Sequence, residues 1–105
     1  MIEEILKELE KFKNDRNWGK YHSEPELARS LMIEAAELNR LYQWGQTPDD
    51  NRFADEVADC IIYCLNLCLQ RAATSDPIAI LRHKIKINAE KYPAVDDGEK
   101  RGWKI

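Results

Sequence analysis

Apolar residues recur every three or four positions along nearly the whole chain, and no segment shows the in–out alternation of a strand. That periodicity restricts the fold to packed helices. The first amphipathic stretch runs from about residue 2 to 14, with Ile2, Ile5, Leu6, Leu9 and Phe12 on one face. A loop over 15–22 follows. Ser23 is a good N-cap, Glu26 completes a capping box, and Pro25 is tolerated in a first helical turn. A second helix is therefore expected to about residue 44, ended by Gly45. Residues 46–51 read as a connection, in which Thr47, Pro48 and Asp50 offer a helix start there or a few residues later. The third helix then runs to about 73. Ser75-Asp76-Pro77 supplies a cap and a first-turn proline for a fourth helix, which must stop near Tyr92, ahead of Pro93. Ile78, Leu81 and Ile85 are expected to face inward. The prediction is an all-α four-helix bundle in one domain over 1–105, with 94–105 a loop or tail.

A chain of 105 residues buries only a modest core, so self-association would hide more of its surface. With 44% hydrophobic and 33% charged residues it is globular rather than disordered. The net charge of -3, with no basic stripe, argues against a nucleic-acid binder, while leaving a nucleotide bridged by a metal open. The longest apolar run, 60–64, is too short to span a bilayer, and with Met1 leading into a charged amphipathic segment no N-terminal signal is expected. No membrane partner and a cytoplasmic location are expected. Cys60, Cys64 and Cys68 read as small buried packing residues. No His or fourth Cys stands at zinc spacing.

Two places break the apolar pattern. In the second helix Leu27, Leu31, Leu38 and Leu41 form a stripe that Glu34 interrupts, and Glu37 lies three residues on, on the same face. The third helix is apolar around most of its circumference and is expected to be buried. Its one polar stripe is Arg52, Glu56, Asp59, Tyr63, Asn66 and Gln70, in which Glu56 and Asp59 again stand three apart. Unpaired carboxylates at a core border cost several kcal/mol or neutralise themselves, so something positive is required between the two pairs. Lys84 and Lys91, on one face of the fourth helix with Asn88, are one source; a metal is another. An all-oxygen set suits Mg2+, which bridges protein carboxylates to phosphates. A solvated acidic face is the plainer alternative. A di-iron centre would need Glu-x-x-His pairs, and neither His22 nor His83 completes one.

At Glu34-Ala-Ala-Glu37 and Glu56-Val-Ala-Asp59 the sequence resembles the MazG-like all-alpha nucleoside triphosphate pyrophosphohydrolases. The flanks, Arg16-Asn17-Trp18 to His22, Leu41-Tyr42-Gln43-Trp44, Asp59 to Tyr63, and Lys84 to Pro93, resemble the dCTP pyrophosphatase branch. The resemblance covers about residues 2–93. It implies a bundle working as a homodimer or homotetramer, with Mg2+ held by Glu34, Glu37, Glu56 and Asp59. It also implies hydrolysis of a nucleoside triphosphate to monophosphate and pyrophosphate, those carboxylates positioning metal and attacking water. Lys84 and Asn88 match phosphate-side positions, and Tyr63 a substrate-contacting one. Trp18 and Trp44 match aromatics that enclose the base, and His22 is a further candidate ligand. In the tail, Lys100, Arg101 and Lys104 offer charge to phosphates and Trp103 an apolar anchor.

One departure stands out. The dCTP-preferring branch directs a polar side chain from its first helix to the base, and the corresponding position here is Leu9. The implied substrate is dCTP or a related or modified pyrimidine deoxynucleotide, in nucleotide-pool house-cleaning. A non-catalytic dimerisation or regulatory module on the same bundle is the alternative from another class.

Overall fold

A computed structural model of the chain describes residues 1–18, 22–71 and 76–94. It is all-α, with no strand among the described residues. Two compact units, Met1–Thr74 and Ser75–Ile105, are described separately. The first contains α1 (Ile2–Asp15), α2 (Glu24–Arg40) and α3 (Asp50–Gln70); the second contains α4 (Pro77–Lys91).

Acidic Glu3 and Glu4 open α1 and Lys13 closes it, each sign matching the helix dipole at its end. The helix stops where the amides of Arg16 and Trp18 fold back onto the Lys13 carbonyl, at 3.2 and 3.0 Å. Asn17 lies at φ 59°, a left-handed conformation that asparagine tolerates better than most residues. This turn sets the position of Trp18.

Ser23 caps α2 as expected: its Oγ accepts from the Glu26 amide at 3.3 Å and donates to the Glu26 carboxylate at 2.9 Å. The helix ends at Arg40, short of the expected residue 44. Leu41 and Tyr42 tighten to carbonyls three residues back, and a single 3-10 turn, Gln43–Gly45, follows. Trp44 at φ 65° and Gly45 at φ 71° are two successive left-handed residues, which no right-handed helix can contain.

Asp49 caps α3, accepting from the Arg52 amide at 2.9 Å. The helix closes at Gln70 rather than near 73, where the Arg71 amide bonds the Leu67 carbonyl. Both α1 and α2 pack on α3. Leu27, Leu41 and Leu65 form the buried apolar core of this unit. The expectation that the apolar girth of α3 is buried is corrected: Ile61 and Ile62 remain exposed. Cys64 is exposed and Cys60 and Cys68 half-buried, so the three cysteines are not a buried packing set. Two flanking helices cannot cover the whole circumference of a third.

In the second unit Asp76 accepts from the Ile78 amide at 3.0 Å and Pro77 sits in the first turn, as expected. Ile78 is half-buried, but Leu81 and Ile85 are exposed rather than turned inward. The tail residues Lys100, Arg101, Trp103 and Lys104 lie outside the described residues. No helix among the described residues is long and apolar enough to cross a membrane.

Candidate active site

Spacing of three on α2 and on α3 puts each acidic pair on one helical face, and packing turns those faces toward each other. One carboxylate oxygen from each of Glu34, Glu56 and Asp59 lies within 4.8 Å of the others. Glu34 and Glu56 are half-buried and Asp59 is exposed. Oε2 of Glu34 and Oε2 of Glu56 are buried and have no hydrogen-bond partner among the described residues.

Burial pushes the Glu34 carboxyl above its ordinary range, reinforced by a hydrogen bond with Glu37 and by the charges of Glu37, Asp59 and Glu56. Burial likewise raises Glu56, followed by the charges of Glu37, Asp59 and Asp55, with Arg52 partly offsetting them. Crowded carboxylates with orphaned buried oxygens make a poor structural element in a chain of marginal stability. They make a good all-oxygen donor set for a hard divalent cation. Glu37 adjoins Glu34 but is not one of the three whose oxygens converge.

Asp59 also lines a cavity of about 580 Å3 enclosed by α1, the loop before α2, and α3. Trp18, His22 and Tyr63 come together there. The Trp18 ring meets Phe12 edge-on, with centroids 5.4 Å apart at 77°, and lies 6.3 Å from the His22 ring. The Gln70 side chain donates to the His22 carbonyl. Beside it the Arg71 guanidinium pairs with Glu24 at 2.9 and 3.0 Å, tying the start of α2 to the end of α3. His22 Nδ1 is buried and has no hydrogen-bond partner among the described residues.

Trp44 is not brought to this cavity. It is 92% exposed and lines a second, polar cavity of about 380 Å3 with Glu37, Glu56, Arg40 and Arg52. The two tryptophans expected to enclose one base therefore line different cavities. Lys84 is exposed and Asn88 half-buried on α4, in the second unit. The sequence reading did not single out Lys13, which is 7% exposed on the wall of the larger cavity. The available signal was its spacing: Lys13 stands one turn after Leu9, on the same face of α1.

No family profile matches the chain. Human dCTP pyrophosphatase 1 is 30% identical over 103 residues, covering 89% of this chain and 59% of that protein. The mouse protein of the same name is 28% identical over 102 residues, covering 88% and 59%. A crystal structure of a pyrophosphatase from Archaeoglobus fulgidus matches with a TM-score of 0.76 and 36% identity, over 89% of this chain and 93% of that one. The chain belongs to the MazG-like all-alpha nucleoside triphosphate pyrophosphohydrolases. This MazG-like chain spans 59% of the length of the mammalian relatives it matches. Membership in the MazG-like group agrees with the all-α architecture.

Proposed function

We propose that the chain hydrolyses a nucleoside triphosphate to the monophosphate and pyrophosphate, with Mg2+ bound by Glu34, Glu56 and Asp59. The observation that carries this reading is the convergence of three carboxylates from two helices, two of them with buried, unbonded oxygens. Family membership supports the reaction class.

Glu34, Glu56 and Asp59 would hold the divalent cation, whose chemistry there would be neutralisation of phosphate charge and a more acidic water. Water adds to the α-phosphorus, the bond from that phosphorus to the α–β bridging oxygen breaks, and pyrophosphate leaves. On this reading Glu37, beside Glu34 and outside the converging set, orients the water and takes its proton. Arg40 and Arg52, in the cavity shared with Glu37 and Glu56, offer guanidinium donors to phosphate oxygens. Lys84 and Asn88 are assigned to the phosphates on the resemblance. Trp18, Tyr63 and His22 receive the nucleoside, with the Trp18 indole as its stacking surface. Trp44 completes the enclosure only from another placement or another copy.

The substrate in this proposal is dCTP or a related pyrimidine deoxynucleotide, and the setting is cytoplasmic nucleotide-pool cleaning. Self-association as a homodimer or homotetramer is part of the same reading, supported by the exposed Ile61 and Ile62 of α3 and the exposed Leu81 and Ile85 of α4. The test is pyrophosphate release from a panel of canonical and modified nucleoside triphosphates, with and without Mg2+. Metal-dependent release with equimolar monophosphate is the expected result. No release from any member by folded protein would overturn the reaction and favour a non-catalytic module.

A further inference from the structure

The cavity beside Asp59 holds two polar side chains that the proposed chemistry leaves unused. Lys13 of α1 is 7% exposed and Asn66 of α3 is 4% exposed, and both line it. Burial lowers the Lys13 ammonium from its ordinary range, and the charge of Glu10 partly opposes this. Its ammonium makes no hydrogen bond or ion pair among the described residues. The Asn66 Oδ1 is buried with no hydrogen-bond partner among the described residues. Native folds rarely leave a buried acceptor such as the Asn66 Oδ1 idle, because it costs stability that a ligand or water restores. A donor with no acceptor capacity and an acceptor in need of a donor thus face one space, floored by the Trp18 and Phe12 rings.

We propose that Lys13 and Asn66 are the pair that selects the nucleobase, Lys13 donating to two adjacent acceptors of a cytosine-type base and Asn66 Oδ1 accepting from its exocyclic amine. The inference rests on the nucleotide reading above and adds the residues that set base choice. An ammonium has three donors, so it serves a carbonyl oxygen and a neighbouring ring nitrogen together. Cytosine carries those two acceptors side by side, with an amine next to them. Uracil and thymine put an N–H between their carbonyls, which would meet the cation donor to donor. Adenine offers one ring acceptor beside its amine and a C–H on the other side. The polar function absent at Leu9 is thereby supplied one turn later on the same helix face, from Lys13. Discrimination of this kind is steep, because the wrong base leaves buried polar groups unpaired.

The test is isothermal titration of the whole chain, with Mg2+ present, using dCMP, dUMP and dAMP. Wild type is expected to favour dCMP over dUMP by about tenfold or more. Lys13→Met, which keeps length and removes the donor, should lose about tenfold in dCMP affinity and lose the preference, while melting no lower than wild type. Lys13→Gln, which restores a neutral donor, should recover part of the affinity, and Asn66→Leu should lose the preference independently. A purely structural Lys13 would leave the dCMP-to-dUMP ratio unmoved. An unchanged ratio in Lys13→Met and Lys13→Gln would overturn the pair, as would a wild type that binds none of the three monophosphates. Failure of pyrophosphate release in a protein that still shows the ratio would sink the reaction and leave the selecting pair standing.

Discussion

Glu34 on α2 and Glu56 on α3 each bury a carboxylate oxygen, Oε2 in both, that has no hydrogen-bond partner among the described residues, and their remaining surroundings are mostly acidic. Both groups titrate above their ordinary range when folded. The folded state therefore favours their protonated forms. Their contribution to stability is greatest at low pH and is lost as pH rises through the raised values. Metal-free protein should melt progressively lower as pH rises above the ordinary carboxylate range, and less steeply in Glu56→Gln. Mg2+ needs the ionised carboxylates, so the rise in Tm it produces should grow over the same range. Thermal denaturation with chelator or with Mg2+ measures both slopes. A Mg2+ effect independent of pH, or identical in Glu56→Gln, would remove the metal from this cluster.

Asp59 belongs both to the carboxylate cluster and to the larger cavity, and Asp59→Asn keeps its shape. Pyrophosphate release should fall by about 10² to 10³-fold with the helical circular dichroism unchanged. Glu37→Gln removes the proposed base and should cost about as much as Asp59→Asn, about 10² to 10³-fold. Activity surviving both changes would discard the site.

The separation of the two tryptophans gives different expectations for each. Trp18→Ala should weaken nucleotide binding by about 1–3 kcal/mol through lost stacking, seen as a raised KM with kcat little altered. Trp44 carries a left-handed backbone that asparagine tolerates better. Trp44→Asn should therefore stabilise the isolated chain by about 1 kcal/mol in a denaturant titration. A drop in turnover without a drop in stability would instead assign Trp44 to substrate.

Leu27 is 1% exposed at the α2–α3 contact. Leu27→Ala should cost about 2–5 kcal/mol. Ile61→Ala, at a half-exposed position of α3, should cost well under that in a monomer. A large cost at Ile61 that fades on dilution would reveal a subunit contact there.

Much of this was legible along the chain. The 3.6-residue period, the Ser23 and Asp76 caps, and the three-residue spacing of each acidic pair are local properties, fixed by residues within a turn or two of one another. So the helices, and the fact that Glu34 shares a face with Glu37 and Glu56 with Asp59, followed from sequence alone. The early end of α2 did not, because it depends on Trp44 accepting a left-handed backbone, which an aromatic residue rarely signals.

Only tertiary packing decided which faces meet. Contact between α2 and α3 brings Glu34, Glu56 and Asp59 within 4.8 Å of one another and sets Glu37 beside them rather than among them. The packing of α1 on α3 buries Lys13 in the cavity with Asn66, although a lysine near a helix end ordinarily reads as a solvated dipole partner. It also leaves Cys64 and Ile61 uncovered on a helix whose apolar girth promised burial. Periodicity reports that a face is apolar or acidic. What covers that face is set by side-chain volumes and connections far apart in sequence, and no local pattern encodes them.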